Sequence, residues 1–79
     1  MITLKTFDEM NISIKTEYNV FDSANNFIEM IRLDYLDEDQ NRCTNAILKK
    51  NELIKKKAKV ERIINCEVTG FLEVVVILN

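Results

Sequence analysis

Hydrophobic and polar residues alternate along the first part of the chain. In residues 11–20 nearly every second position is apolar, and this period of two predicts a half-buried strand. Residues 2–7 have the character of a second, shorter strand, and residues 8–11 predict the turn that joins the two. The sequence therefore predicts that the chain begins with a β-hairpin.

Residues 24–36 fit two patterns. Phe27, Ile31 and Leu33 share one face of a strand, whereas a cap at Ser23 would start a helix whose apolar residues recur at helical spacing. We favour the strand because the acidic segment 37–41 that follows resembles a hairpin loop. Residues 42–48 would then form its return strand.

The clearest helical pattern covers residues 51–65. Asn51 suits the N-cap, apolar residues recur every three or four positions, and the basic residues lie toward the C-terminal half. Residues 66–78 predict a strand, and the run 74–78 is apolar on both faces, as in a central strand. Gly70, the only glycine, indicates a bulge or a tight turn within it.

These elements predict an α+β fold in the order β-β-β-β-α-β. The sheet would be small and mainly antiparallel, with about five strands and one helix, residues 51–65, packed on one face. A chain of 79 residues forms a single small globular domain, residues 1–79. Its 47% hydrophobic content excludes intrinsic disorder.

The sequence predicts a cytoplasmic protein that does not associate with a membrane. Residues 1–9 lack the apolar region of a signal peptide, and the longest apolar run, 74–78, is too short to span a bilayer. Cys43 and Cys66 lie far apart and predict two buried, reduced thiols. Abundant Asn, Ile and Lys indicate an AT-rich genome, such as that of a low-GC bacterium or its phages, in which case the location is the host cytoplasm.

The residue inventory argues against an enzyme. With no His, a Ser-His-Asp or Cys-His site cannot form within one chain, and one Gly cannot build a phosphate-binding loop. Asp37, Asp39 and Asn41 match the start of an EF-hand loop, but Arg42 and Leu48 stand where calcium binding requires Gly and Glu. We therefore expect no catalytic residues, no cofactor and no metal.

Charge is divided unevenly along a chain of net charge −2. Residues 1–41 carry −6 and residues 42–79 carry +4. An acidic loop suits docking on a basic surface of a partner protein, with neighbouring apolar side chains as an anchor. The predicted partner-binding residues are Asp34, Tyr35, Leu36, Asp37, Glu38 and Asp39.

The leading hypothesis is a small non-enzymatic protein-binding module. In its most specific form it is an accessory or inhibitor protein of a phage or mobile element, with an anti-defence role, that masks a larger host protein through the acidic loop. One alternative is nucleic-acid binding by a basic helix, and another is a structural homo-oligomer formed through exposed strand edges or opposite charges. The basic residues concerned are Lys49, Lys50, Lys55, Lys56, Lys57, Lys59 and Arg62.

Overall fold

The structure, a computed structural model that describes all 79 residues, begins with a short strand and a short helix. Strand β1 covers Ile2–Thr3 and helix α1 covers Leu4–Met10. The predicted strand 2–7 and its hairpin turn are therefore wrong. Leu4 and Phe7 are both buried, and a spacing of three places them on one side of a helix but on opposite faces of a strand.

The next two strands form an antiparallel hairpin. Strand β2 is Lys15–Phe21 and strand β3 is Phe27–Asp34, so the strand interpretation of residues 24–36 is confirmed. The side chain of Asp22 accepts hydrogen bonds from main-chain N–H groups within the turn, and Asn25 adopts a left-handed φ of 67° there. Asp and Asn suit such turns because their side chains bond to nearby backbone and they tolerate this conformation.

Helix α2, Gln40–Lys55, replaces the predicted hairpin loop and return strand. Residues 42–48 are helical because Asp39 acts as the N-cap, with its carboxylate accepting hydrogen bonds from the N–H groups of Asn41 and Arg42. The acidic segment is therefore the start of a helix. The side of α2 that faces the sheet presents Ala46, Lys50 and Leu53, which recur at helical spacing.

The predicted helix 51–65 is also wrong, because α2 ends at Lys55 and residues 59–65 form strand β4, Lys59–Asn65. Lys57 has a left-handed φ of 58°, which ends a helix even without glycine. Most of the apolar residues beyond it are β-branched, and such side chains favour an extended backbone.

Strand β5, Leu72–Ile77, lies at the centre of the sheet, as the apolar run 74–78 predicts. The first part of the predicted strand, residues 66–71, is instead a turn. Gly70 has a φ of 75° there, and its N–H donates to the carbonyl of Cys66 at 2.9 Å. Glycine adopts this conformation without steric cost.

The α+β class and the five strands are confirmed, but the sheet is mixed and the helices number two. The strand order is β1-β4-β5-β2-β3, and β2 and β5 are parallel while the other neighbouring pairs are antiparallel. Along the chain the elements follow the order β-α-β-β-α-β-β. Helix α2 connects β3, at one edge of the sheet, to β4, which lies beyond β2 and β5. No helix has the length and apolar character needed to cross a membrane.

Both helices pack on the same face of the sheet. Twelve buried residues from both helices, from β2 to β5 and from the end of the α2–β4 turn form one core cluster. No helix lies on the opposite face, which we call the uncovered face.

Cys43 and Cys66 are free and half-buried, which corrects the prediction of two buried thiols.

An ion pair between a buried lysine and a half-buried aspartate joins the two helices. Lys50 Nζ lies 2.9 Å from Asp8 Oδ1, and the side chain of Lys50 is only 7% exposed. Burial acts to lower the pKa of Lys50, but the hydrogen bond and the charge of Asp8, together with Tyr35, outweigh it and raise the pKa. Burial, followed by the charge of Asp8, also raises the pKa of Tyr18. The pair therefore keeps the Lys50 side chain charged although it is buried.

We predict that Asp8→Ala destabilises the protein more than Lys50→Met. The first change leaves a buried ammonium without its carboxylate partner and costs roughly 2–3 kcal/mol, whereas the second removes the buried charge and costs less than about 1 kcal/mol. Lys49→Met is the control, because the contact of Lys49 with Glu29 is exposed. Urea unfolding measures all three free energies, and equal losses for Asp8→Ala and Lys49→Met would contradict this role of the pair.

We predict that Lys57→Gly stabilises the protein by roughly 0.5–1 kcal/mol, because glycine relieves the strain of a left-handed residue at the end of α2. The matched control is Lys56→Gly, since Lys56 has a φ of −79° and gains nothing from glycine. Thermal and urea unfolding measure the difference. Stabilisation by the control, or none by Lys57→Gly, would show that the backbone at residue 57 is unstrained.

Candidate functional site

Three of the four carboxylates of the predicted acidic loop are engaged within the fold. Asp34 accepts a hydrogen bond from a main-chain N–H two residues further on, and Asp39 caps α2. Asp37 accepts from the N–H of Asp39 and pairs with the guanidinium of Arg42, whose Nη2 lies 3.0 Å from Asp37 Oδ1. Only Glu38 makes no such contact, so this loop mainly fixes the start of the helix.

The arginine determines how Asp37 titrates. Its hydrogen bond, and then the N–H of Asp39, lower the pKa of Asp37 to about 2. The carboxylate is therefore charged throughout the neutral range and stays paired with Arg42.

The two apolar residues of the predicted partner-binding set are on the surface. Tyr35 and Leu36 follow directly after β3 and are both exposed, as an apolar anchor requires. Arg32 and Asp34 and the buried Ile31 and Leu33 separate them from the exposed apolar side chains at the start of that strand. The anchor part of the predicted site therefore lies on an accessible surface next to the outer strand of the sheet.

Strand β3 is a long edge strand with no partner on its outer side. The opposite edge of the sheet, β1, has only two residues, whereas β3 has eight. Phe27, Ile28 and Met30 are 58%, 47% and 44% exposed. Proteins normally protect such an edge with charge, proline or a covering element, because it invites pairing with another strand. We call this feature the β3 edge.

The hydrogen bonds of the hairpin identify the main-chain groups that face outward. The N–H of Tyr35 donates to the carbonyl of Ile14 at 2.9 Å, in register with the rest of the β2–β3 pair. Along an antiparallel strand, the main-chain N–H and C=O groups of successive residues point alternately toward and away from the neighbouring strand. Leu33 and Ile31 therefore bond to β2. Met30 and Arg32 therefore direct both N–H and C=O away from the sheet.

A groove of about 400 Å³ runs between the β3 edge and helix α2. On the helix side its walls are mainly polar and include Asn41, Asn45 and Lys49. Lys49 Nζ lies 3.4 Å from Glu29 Oε2, which links the helix to the strand. An extended segment added to the β3 edge would place every second side chain over this groove.

On the uncovered face, charged side chains pack over an aromatic ring. Phe71 is buried, with the guanidinium carbon of Arg32 4.1 Å and Lys15 Nζ 5.5 Å from its ring centre. Arg32 Nε also lies 3.3 Å from Glu17 Oε1. These contacts cover the aromatic ring and fix Arg32 beside the β3 edge.

The predicted basic helix does not exist as one surface. Lys50 is buried against Asp8, and Lys49 and Lys55 pair with Glu29 and Glu52. The remaining members lie on two different elements: the turn after α2 holds Lys56 and Lys57, and β4 holds Lys59 and Arg62.

Sequence reasoning missed two features of the structure. The β3 edge has a signal in the sequence, because Phe27 and Ile28 are consecutive apolar residues that interrupt the alternation. The sequence also gives no sign that Lys5 in α1 lies near Lys57 and Lys59, because α1 and β4 come together only through tertiary structure. No three His, Cys, Asp or Glu side chains come together as metal ligands would.

We predict that the Asp37 carboxyl carbon titrates in NMR spectra with a midpoint of about 2, and that Arg42→Ala moves the midpoint toward 3.8. Because the folded pKa lies below the unfolded value, the ion pair adds stability above about 3.8, and this contribution is lost as the pH falls through about 2. Glu38→Ala is the control and leaves the Asp37 titration in place. A midpoint near 3.8 in the unaltered protein would contradict the pairing.

Comparison with known proteins does not assign this fold or this edge to a family. No protein-family model matches the chain, and neither a curated protein nor a solved structure does.

Proposed function

We propose that this protein is a small non-enzymatic module that binds another protein by accepting an extended segment along the β3 edge. The observation that carries the proposal is the eight-residue outer strand with outward main-chain groups and exposed apolar side chains. Two residues, Met30 and Arg32, offer two donors and two acceptors to an added strand. Such main-chain bonds supply affinity, and pockets for alternate side chains supply specificity.

The two sides of the β3 edge define the chemistry of the partner segment. On the uncovered face, an added strand would lie beside Ile28 and Met30, which favour apolar side chains. On the helix side it would lie over the groove that contains Asn45 and the Lys49–Glu29 pair, which favours polar side chains, acidic ones among them if they displace Glu29. We therefore propose a partner strand in which apolar and polar or acidic residues alternate.

The acidic loop has a smaller part in this proposal than the sequence predicts. Tyr35 and Leu36 offer a separate exposed apolar contact just beyond the end of β3, and Glu38 is the one carboxylate free to meet a basic group of the partner. Binding of this kind would cover a surface of the partner. A masking or inhibitory role is therefore the form of the function that we propose.

The proposal is tested with Met30→Pro. Proline removes an outward N–H while leaving the bonds to β2 intact, and an edge strand tolerates proline at such a position. Affinity capture from the organism that makes this protein identifies a partner, which is then purified and titrated by calorimetry. We expect Met30→Pro to weaken binding by roughly tenfold or more.

Two control variants separate the alternatives. Met30→Leu keeps the N–H and the apolar side chain and should bind within about threefold of the unaltered protein. Glu38→Lys reverses the free carboxylate and should also change affinity by less than about threefold, because exposed ion pairs contribute little. A large loss with Glu38→Lys and none with Met30→Pro would favour recognition by the acidic loop and refute strand addition.

A second copy of the chain is the competing occupant of the edge. Light scattering over a range of protein concentrations measures the oligomeric state of the unaltered protein and of Met30→Pro. We expect a monomer in both cases. A dimer that Met30→Pro disrupts would assign the β3 edge to self-association and overturn the proposal of a different protein partner.

A further inference from the structure

Three lysines line one cleft at the side of the sheet opposite the β3 edge. Lys5, Lys57 and Lys59 take part in none of the five ion pairs of the structure. The cleft has a volume of about 370 Å³, and no acidic side chain lines it. We call it the basic cleft, and its lining residues are Thr3, Lys5, Ile54, Lys57, Lys59 and Asn79.

Contacts between distant parts of the chain bring the three lysines together. Thr3 in β1 pairs with Lys59 in β4, and the N–H of Leu4 donates to the carbonyl of Ala58 at 2.7 Å. Lys5 in α1 therefore lies close to the start of β4, and the turn after α2 adds Lys57. The cleft combines side chains from two helix termini and a strand.

The helix dipole accounts for the lysines at the end of α2 but not for Lys5 and Lys59. Basic residues in the last turn of a helix are favoured by the partial negative charge of its carbonyl groups, which explains Lys55 and Lys56. Lys5 and Lys59 belong to other elements. Lys57 occupies a left-handed position where glycine would be less strained, so a lysine is not the residue that the backbone favours there.

We propose that the basic cleft binds the phosphate groups of a small oligophosphate. Each lysine ammonium offers three hydrogen-bond donors and no acceptor, and three of them in a lining that contains no Asp or Glu side chain form a concentrated positive site. No aromatic side chain lines the cleft to stack against bases, and the chain has a net charge of −2. These features favour a compact anion over a long nucleic acid.

The test uses inorganic tripolyphosphate and the full chain, with binding followed by calorimetry and by NMR. We expect saturable binding with one site per chain, located by shifts of the amide signals around residues 5 and 57–59. The double variant Lys5→Ala with Lys57→Gly should weaken binding roughly tenfold or more, because it removes two of the three charges. The second change is expected to stabilise the fold, so the loss would not come from unfolding.

A matched control removes the same amount of charge outside the cleft. Lys55→Ala with Lys56→Ala should change affinity by less than about twofold. Absence of saturable binding, or an equal loss in the control, would overturn the proposal, because diffuse attraction would then explain the result.

A duplex of twelve base pairs serves as the competing ligand. It should bind more weakly than tripolyphosphate at the same salt concentration. Tighter binding of the duplex, lost in the cleft variant, would assign the site to a nucleic-acid backbone and overturn the oligophosphate assignment. The Met30→Pro variant should bind tripolyphosphate normally, so this proposal and the proposed protein binding fail or succeed separately.

Discussion

The one-sided core is the constraint on which the rest of this structure depends. Two helices of seven and sixteen residues cover one face of a five-stranded sheet, and the other face has no covering element. The chain compensates by packing Arg32 and Lys15 over Phe71 on the uncovered face. Burial of apolar area drives folding. Because only one face is covered, the other face exposes charged side chains together with apolar ones such as Ile28 and Met30. Strand β3 lies at the end of the strand order, so its outer side also remains accessible.

Several charged side chains are bound to other groups within the fold, and these side chains are less available for binding a partner. Asp39 caps α2, Asp37 holds Arg42, and Lys50 occupies the core with Asp8 as its partner. Withdrawing Asp8 is costly because the buried Lys50 is left uncompensated, whereas Asp37 and Asp39 are held at the surface by Arg42 and by main-chain N–H groups. The surfaces that remain are the β3 edge, which has unused main-chain groups, and the basic cleft, which has unused ammonium groups.

The sequence predicts the central part of the fold well and its helices poorly. The alternation over residues 11–20 identifies β2, although β2 begins at Lys15, and the two-sided apolar run identifies the central β5. The helices were misplaced because Asp39 is compatible with both a loop and an N-cap, and because Lys57 ends α2 without the usual glycine. Tyr35 and Leu36 were predicted as surface residues, but the β3 edge was not, since strand order depends on contacts between distant segments.

The position of β5 has a consequence for the order of assembly. It is the last strand along the chain, yet it lies between β4 and β2 and is parallel to the latter. Sheets completed by such long-range pairing fold slowly, because loop closure precedes the stabilising contacts. During synthesis on the ribosome, both edges of the β2–β3 hairpin are unpaired until β5 has been made. The interval before the final strand arrives is therefore when the nascent chain is most exposed to misassociation.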